Sequence, residues 1–311
     1  MIIRAKPFVK WAGGKSQLIE QIEQTLSKSF HKNKDFTYVE PFGGGGAVLF
    51  WILQNYPNIS SAIINDINSD LTTAYTVIKE KPLELIKYLK TIEMEYLLLN
   101  DYERKEYYLL KRERFNTKAL NIIENTALFI FLNRTCFNGL YRVNRKGLFN
   151  VPFGSYKNPK ICDEKTIHAD SLLLQKVDIL TGDFEETLEH TKNYCFFYFD
   201  PPYKPINETS SFVSYAKENF NDFEQIRLAN FCKKINNLKH SFILSNSDVK
   251  GLNPENDFFD VLYSDFTIKR VFATRFINAD SSKRGKLTEI LVTNLQLNQE
   301  NKDGNESNYV I

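Results

Sequence analysis

The sequence is poor in the residues that form disulfides and bind metals. Its 311 residues include only four histidines and four cysteines, which are Cys136, Cys162, Cys195 and Cys232. The cysteines are far apart and form no C-x-x-C pair, which argues against a zinc site and against a disulfide framework. The histidines are equally scattered, so we predict no metal site. Such cysteine usage is typical of the reducing cytoplasm.

Long hydrophobic runs are also lacking. No apolar run approaches the roughly 18 residues that a membrane-spanning helix requires. The first 11 residues contain Lys6, Pro7 and Lys10, and this short, interrupted stretch does not fit a secretory signal. We therefore expect a cytoplasmic protein that does not contact a membrane.

Neither sign of charge is in large excess, since 40 Lys and Arg face 38 Asp and Glu. Two segments are nevertheless basic. Residues 133–160 contain six Lys or Arg and no acid, and residues 266–286 contain six against the single acid Asp280. Two basic segments on an otherwise acidic chain suggest a polyanionic partner. The alternative for either segment is an ordinary solvated face.

The two ends of the chain have the texture of an α/β protein. A strand, a glycine-rich turn, a helix and a second strand ending at Asp66 follow one another early in the chain, which is the βαβ pattern of a doubly wound sheet. We therefore predict a Rossmann-like α/β fold. The predicted helices lie at residues 16–26, 47–53 and 222–235, and the predicted strands at 38–39, 62–64, 177–180, 195–199, 242–244, 260–263 and 287–293.

The middle of the chain differs in texture. Residues 71–132 show helical periodicity, and residues 133–156 are rich in Asn, Gly, Arg and aromatic residues. This pattern indicates an inserted, mainly helical domain that ends in a loop or β-hairpin. We expect the catalytic domain to comprise residues 1–70 and 166–295, the insert to comprise 71–165, and the polar tail 296–311 to be disordered.

The tetrapeptide Asp200-Pro201-Pro202-Tyr203 follows the most hydrophobic predicted strand. Ligands of open α/β sheets bind beyond the carboxyl ends of the strands. Asp200 offers carboxylate acceptors, Pro201 offers a carbonyl acceptor, and Tyr203 offers a flat face. Together they are suited to hold an amino group through two acceptors and to stack on its ring. The alternative is an ordinary turn, since Asp-Pro is a common turn dipeptide.

Two glycine motifs indicate further binding sites. The run Gly43-Gly44-Gly45-Gly46 suits a backbone that turns sharply and approaches a ligand closely, and Asp66, about 20 residues on, is placed to bind a ribose. The stretch around Lys15 resembles a phosphate-binding loop. However, Val9 stands where that loop needs its first glycine, and no strand precedes it, so we reject ATP hydrolysis.

Taken together, these segments resemble the DNA adenine-N6 methyltransferases of the Dam family, in the order glycine loop, target-recognition insert and catalytic motif. They are most similar to the GATC-modifying enzymes of type II restriction systems. The resemblance covers the chain nearly to Asn294. It implies methyl transfer from S-adenosylmethionine, with S-adenosylhomocysteine as product, to N6 of a flipped-out adenine in double-stranded DNA. It also implies a monomer that needs no metal and is encoded beside a cognate restriction endonuclease.

The resemblance assigns residues to the catalytic centre and to the cofactor. Asp66 would bind the ribose, and Gly182-Asp183-Phe184 would frame the cofactor adenine. The catalytic set is Asp200, Pro201, Pro202 and Tyr203. The cofactor set is Trp11, Lys15, Phe42, Gly43, Gly44, Asp66, Asp183, Phe184 and Asp200.

Residues 133–157 resemble the GATC-reading hairpin of this family nearly residue for residue. By that likeness Arg142 reads a guanine, Leu140 and Pro152 contact a thymine methyl group, and Phe137 and Asn138 enter the space left by the flipped adenine. Ser155 is a departure, since relatives often carry Arg there, and one phosphate or flipping contact is therefore in doubt. The other DNA contacts implied are Lys10 to the first base pair, Arg134, Asn144, Asn150 and Lys157 to phosphates, and Tyr156.

Two alternative functions remain open at this stage. The first is a cytosine-N4 methyltransferase, although such enzymes more often begin the catalytic motif with Ser. The second is a catalytically inactive DNA-binding regulator on the same fold. The intact motifs at residues 42–46 and 200–203 argue against the second alternative.

Overall fold

Seven strands form one sheet in the computed structural model, which describes residues 3–26, 35–205, 220–273 and 287–295. The sheet order is β3-β2-β1-β4-β5-β7-β6. Strands β1 to β5 are parallel, whereas β7 runs antiparallel to β5 and β6. The strands are β1 Phe36–Glu40, β2 Ile59–Asp66, β3 Val177–Thr181, β4 Cys195–Phe199, β5 Ser241–Ser247, β6 Thr267–Ala273 and β7 Leu287–Thr293.

The strand order reverses between β1 and β4, which lie side by side with Val39 opposite Phe197. Both strands are buried along their whole length, as expected for central strands that are covered on both faces. Glu40 and Asp200 therefore emerge from neighbouring strands at the same edge of the sheet. Such a switch point is where open α/β sheets bind their ligands.

Most helices begin at a side chain that caps their free amide groups. Asn68, Asn100, Asn121 and Asn221 each accept hydrogen bonds from two amides of the following first turn, which is the usual role of Asn at this position. The helices are α1 Ile19–Thr25, α2 Ala47–Asn55, α3 Ser69–Glu80, α4 Pro82–Leu97, α5 Asp101–Asn116, α6 Ile122–Thr135, α7 Glu164–Leu174, α8 Asp222–Asn237, α9 Val249–Leu252 and α10 Phe258–Leu262.

Each face of the sheet is covered by its own hydrophobic cluster. Tyr38 and Phe196 belong to the cluster that includes α2 to α7, and Val39 and Phe197 belong to the cluster that includes α8. This division follows from the alternation of side chains along a strand. Helix α6 is buried almost throughout because α3, α4 and α5 pack around it.

The α/β fold and most of its predicted strands are confirmed, but the strand predicted at residues 260–263 is wrong. Helix α10 occupies that segment, and strand β6 follows at Thr267–Ala273. The physical reason is visible in the spacing: Phe259 and Tyr263, one helical turn apart, are buried, whereas Val261 between them is 64% exposed.

The predicted hairpin is present only as two isolated antiparallel bridges, Cys136 to Phe153 and Val143 to Phe149. Helices α4 to α6 share one hydrophobic cluster with a face of the sheet, so the domain boundaries stay predictions. The predicted tail 296–311 lies outside the described residues, as does most of the second basic segment. Arg270 from that segment pairs with Asp248 and Asp260.

The four cysteines are buried free thiols. Among the helices of the described ranges, none combines the length and the apolar character needed to cross a bilayer.

Candidate active site

A cleft of about 190 Å³ opens at the switch point of the sheet. It forms where the segment around Trp11 crosses the glycine run and the end of β4, so three motifs that are distant in sequence share one cavity. This convergence agrees with the sequence prediction. The lining residues are Pro7, Trp11, Ala12, Gly13, Gly14, Lys15, Glu40, Gly43, Gly44, Gly45, Gly46, Ala47, Val48 and Asp200.

The Asp200 carboxylate is the acid of this cleft. Its Oδ1 atom lies 3.1 Å from Lys15 Nζ and accepts a hydrogen bond from Ser245 Oγ at 3.2 Å. Burial raises the pKa of Asp200 to about 6, although the Lys15 ammonium and the Ser245 hydroxyl oppose the rise. Its side chain is still 21% exposed. Asp200 is therefore an accessible hydrogen-bond acceptor whose charge changes near neutral pH.

Tyr203 presents its ring beside this carboxylate. The Lys15 ammonium lies 4.0 Å from the centre of the ring, so one cation contacts both the acid and the aromatic face. The Tyr203 hydroxyl donates to Glu289 Oε2 at 2.6 Å. Glu289 was not among the site residues predicted from the sequence, although a single acid within the apolar strand β7 was a usable signal.

The glycine run is held against the end of β2. Gly44 N donates to Asp66 Oδ2 at 2.9 Å, and Gly43 N donates to the Asn65 carbonyl at 2.7 Å. A Cβ atom on Gly43 would lie 2.4 Å from Ile64 Cγ1, so glycine is required there. Asp66 also accepts from Asn68 N. The predicted ribose contact of Asp66 stays a prediction beside this observed role in shaping the loop.

The side chain of Arg227 covers Asp183 and Phe184. Arg227 was not among the site residues predicted from the sequence. Arg227 donates to both oxygens of Asp183 at 2.9 and 2.7 Å, and its guanidinium lies 4.3 Å from the centre of the Phe184 ring. Partial burial acts to raise the pKa of Asp183, but Arg227 keeps it below its usual value. Phe42 packs against Phe184 with ring centres 5.3 Å apart. The predicted cofactor residues Phe42, Asp183 and Phe184 are thus neighbours.

The N-terminal segment links the cleft to the first basic segment. The backbone N–H and carbonyl of Lys10 both bond to the Asn133 carboxamide at 2.8 Å, and Lys10 Nζ lies 4.6 Å from the centre of the Tyr156 ring. The Trp11 ring stacks on Tyr141 at 5.5 Å. The cleft and the basic loop are therefore parts of one surface.

Arg142, the predicted guanine-reading residue, is exposed and held by one neighbour. Its Nε donates to Asn150 Oδ1 at 2.8 Å, and its Nη2 donates to the Asn150 carbonyl at 3.3 Å. Asn144 Oδ1 accepts from the amides of Lys146 and Leu148 and shapes the tip of the loop. The phosphate contacts predicted for Asn144 and Asn150 stay predictions.

The other predicted DNA contacts differ in exposure. Arg134 is half-buried and donates to the Phe8 carbonyl at 2.7 Å, and burial lowers its pKa. Phe137 is 51% exposed, and Asn138 beside it has a left-handed backbone with φ of 56°. Leu140 and Tyr156 are half-buried, and Asn138, Pro152, Ser155 and Lys157 are exposed.

Helix α5 supports this loop from behind. Tyr108 donates to the Val151 carbonyl at 2.7 Å, and Asn116 makes two hydrogen bonds to the backbone of Phe149, at 3.0 and 2.8 Å. Arg104 donates to the Lys157 carbonyl at 2.9 Å. These supports were not recognisable from the sequence, because each is a single polar residue on a helix.

The fold, the cleft and the basic loop together define a nucleic-acid-modifying α/β enzyme. The sequence profile of the D12 class N6 adenine-specific DNA methyltransferases matches residues 11–277. The chain therefore belongs to this family, and it is an adenine-specific DNA methyltransferase. This membership favours N6 of adenine over N4 of cytosine as the acceptor.

Individual relatives span nearly the whole chain. It is 48% identical over 295 residues to the "Type II methyltransferase M.MjaIII" of Methanocaldococcus jannaschii, covering 94% of this chain and 100% of that protein. It is 39% identical over 297 residues to the "Type II methyltransferase M1.LlaDCHI" of Lactococcus lactis subsp. cremoris, covering 94% and 96%. It is 33% identical over 290 residues to the "DNA adenine methylase" of Haemophilus influenzae, covering 93% of each chain.

Proposed function

We propose that this enzyme transfers the methyl group of S-adenosylmethionine to N6 of an adenine flipped out of GATC sites in double-stranded DNA. The observation that carries the proposal is the position of Asp200, at the switch point of the sheet and in one cleft with the glycine run. The family membership supplies the reaction, and the geometry indicates the residues that perform it.

The described residues fit the proposed cofactor. The backbone of Gly43 and Gly44 lines the cleft, because glycine at position 43 lets the loop pack tightly against Ile64 at the end of β2. We expect this backbone to bind the methionine part. We expect Asp66 to bind the ribose, and Asp183 with Phe184 to frame the adenine ring. When bound, the cofactor supplies an electrophilic methyl group on a sulfonium.

The protein's task is to activate and aim the adenine amine. The lone pair of N6 is delocalised into the ring, which makes the nitrogen a poor nucleophile. We expect Asp200 and the Pro201 carbonyl to accept the two N6 hydrogens, which draws the nitrogen towards a tetrahedral shape and frees its lone pair. Tyr203 stacks on the adenine ring and fixes the position of that ring in the direction perpendicular to its plane. Correct positioning then supplies much of the rate.

Access to this pocket requires two displacements. The adenine has to leave the base stack, at a cost of a few kcal/mol. Lys15 Nζ lies between the Asp200 carboxylate and the Tyr203 ring, in the region that the adenine amine is expected to occupy. Entry of the base therefore moves the Lys15 ammonium away from both groups.

The proposed GATC specificity rests on the loop at residues 133–157. Arginine is suited to bond O6 and N7 of a guanine through two donors, and Asn150 fixes the orientation of Arg142. The exposed Phe137 ring is suited to the gap left by the flipped base. The relatives named type II methyltransferases support a role beside a cognate restriction endonuclease, and we expect a monomer.

Plasmid protection tests the proposed function. Plasmid DNA from cells that express this enzyme, and lack other adenine methylation, should resist a GATC-cutting nuclease that N6-methyladenine blocks. The same plasmid should still be cut by a nuclease that recognises GATC regardless of methylation, which is the control. Complete cutting by the first nuclease would reject GATC as the target.

The rate of methyl transfer should fall on the acid side with a midpoint at about pH 6. Burial raises the pKa of Asp200 to about 6, whereas an ordinary Asp titrates near pH 4. Either oxygen of the ionised carboxylate accepts an N6 hydrogen, whereas protonation converts one of the two oxygens to a hydroxyl. Activity is therefore present above this pKa and is lost as the pH falls through it. The measurement is kcat/KM between pH 5 and 8, which reports the free enzyme, and the control is the melting temperature over the same range. A flat profile down to pH 5 in folded enzyme would contradict the assignment.

A further inference from the structure

A fully buried glutamine lies behind the catalytic motif. Gln225, on helix α8, has no exposed surface. Its Nε2 atom donates to the Pro202 carbonyl at 3.1 Å, and its Oε1 atom accepts from Asn246 Nδ2 at 3.0 Å. A buried amide is costly unless its polar atoms are bonded. Both ends of Gln225 are bonded, and one of them acts directly on the catalytic loop.

Asn246, on strand β5, extends this hydrogen-bond network to Lys204, the residue that follows Tyr203 in the sequence. It is also fully buried, and its Oδ1 atom accepts from Lys204 N at 3.2 Å. The neighbouring Ser247 hydroxyl donates to the Lys204 carbonyl at 2.6 Å. The Gln225–Asn246 pair therefore holds the carbonyl that precedes Tyr203 and the amide that follows it.

The loop needs such external supports because of its composition. Pro201 and Pro202 have no N–H group, so neither residue can anchor the loop by donating a backbone hydrogen bond. At the far end of the side chain, Glu289 accepts from the Tyr203 hydroxyl at 2.6 Å. Tyr203 is thus held at the peptide groups on both sides and at its hydroxyl.

We infer that Gln225, acting with Asn246, is a positioning residue that sets the tilt of the Tyr203 ring by holding the two peptide groups that flank it. This inference rests on the proposed function, because it assigns Tyr203 to stacking on the adenine. Gln225 is screened from the cleft by the loop itself. Its effect should appear in the turnover of the bound complex and not in binding.

Kinetics of two variants test this role. Gln225→Glu keeps the shape but places a carboxylate oxygen against the Pro202 carbonyl, and Gln225→Leu removes both hydrogen bonds. Small misplacements of reacting groups cost up to about a hundredfold in rate, and we expect kcat to fall about tenfold or more. KM for DNA and for the cofactor should stay within about twofold, because Gln225 is fully buried and does not line the cleft. The matched control is Gln175→Leu, since Gln175 is exposed and also bonds to backbone carbonyls.

A spectroscopic readout separates positioning from a general loss of stability. 2-Aminopurine in place of the target adenine becomes fluorescent when it is flipped out and is quenched when it stacks on an aromatic ring. The Gln225 variants should give brighter flipped 2-aminopurine than wild type, as should Tyr203→Ala. Melting curves establish that each variant is folded, and Gln225→Glu remains informative if Gln225→Leu does not fold.

The outcomes distinguish this inference from the proposed function. Wild-type enzyme that fails to methylate GATC duplexes would reject the proposed function itself. Active wild-type enzyme together with folded Gln225 variants of unchanged kcat and unchanged fluorescence would overturn the positioning role. If the activity of the Gln225 variants falls only in proportion to the fraction of folded protein, the positioning role would be overturned as well.

Discussion

We expect Asp200→Ala to lose most of its methyl-transfer activity while it still binds DNA. The substitution removes the carboxylate that accepts an N6 hydrogen at the end of β4, so the nitrogen keeps its lone pair in the ring. Removing one preorganised hydrogen-bonding group from an active site costs about 10²- to 10³-fold in kcat, and we expect a loss of at least that size. Single-turnover transfer of tritiated methyl groups measures the chemical step, and fluorescence anisotropy of a labelled duplex measures binding.

This test needs a control for stability, because Asp200 is the ionic partner of Lys15. The Lys15 side chain is only 10% exposed, and a buried cation that loses its partner destabilises the fold. Melting curves therefore accompany the kinetics. The matched control is Asp178→Ala, since Asp178 is an exposed acid on the edge strand β3. Transfer within tenfold of wild type by folded Asp200→Ala would remove Asp200 from the catalytic role.

Arg142→Ala should weaken the preference for one guanine of the target sequence. A bidentate arginine contact contributes about 1–3 kcal/mol of discrimination, which corresponds to roughly 5- to 150-fold in relative kcat/KM. The measurement compares kcat/KM on GATC duplexes with that on duplexes in which the first or the last base pair of the site is replaced. The difference in kcat/KM between the GATC duplex and a substituted duplex should become smaller at one position only, because one side chain reads one base.

The neighbouring Arg145 provides the matched control. It is an exposed arginine on the same loop, so Arg145→Ala removes the same charge without removing the proposed base reader. We expect it to weaken binding to all sequences about equally and to leave discrimination intact, as for a phosphate contact. Equal loss of discrimination in both variants would indicate a general electrostatic effect and would reject the role of Arg142.

The elements that sequence predicted well are those with a local physical cause. Strand β4 is a continuous apolar run because both faces of a central parallel strand are covered. The glycine run was recognisable in the sequence because a tight turn with close backbone packing requires glycine. In the structure a side chain at Gly43 would collide with Ile64. Helix α10 was mistaken for a strand because a segment of five residues is too short for its periodicity to distinguish the two.

The partners within the site had no such signal. Lys15 and Asp200 form an ion pair although they are far apart in the sequence. Asp183 pairs with Arg227, which lies on helix α8, and the sequence of that helix shows only ordinary amphipathic spacing. Gln225 looks like any polar residue near a helix start, yet it is fully buried. Single polar residues carry no periodicity, so their partners appear only when the elements that bear them are packed.

By itself, the sequence determined the α/β class and the order of the motifs, because glycine, proline and buried apolar runs restrict the backbone locally. The expected reaction came from the resemblance of these motifs to a known family. Only the tertiary structure decided that Lys15 contacts both Asp200 and Tyr203 and that Asn150 orients Arg142. It also decided that Gln225 and Asn246 hold the catalytic loop. These pairings depend on the packing of distant elements around the sheet, since hydrogen bonds and ion pairs need atoms within a few ångströms.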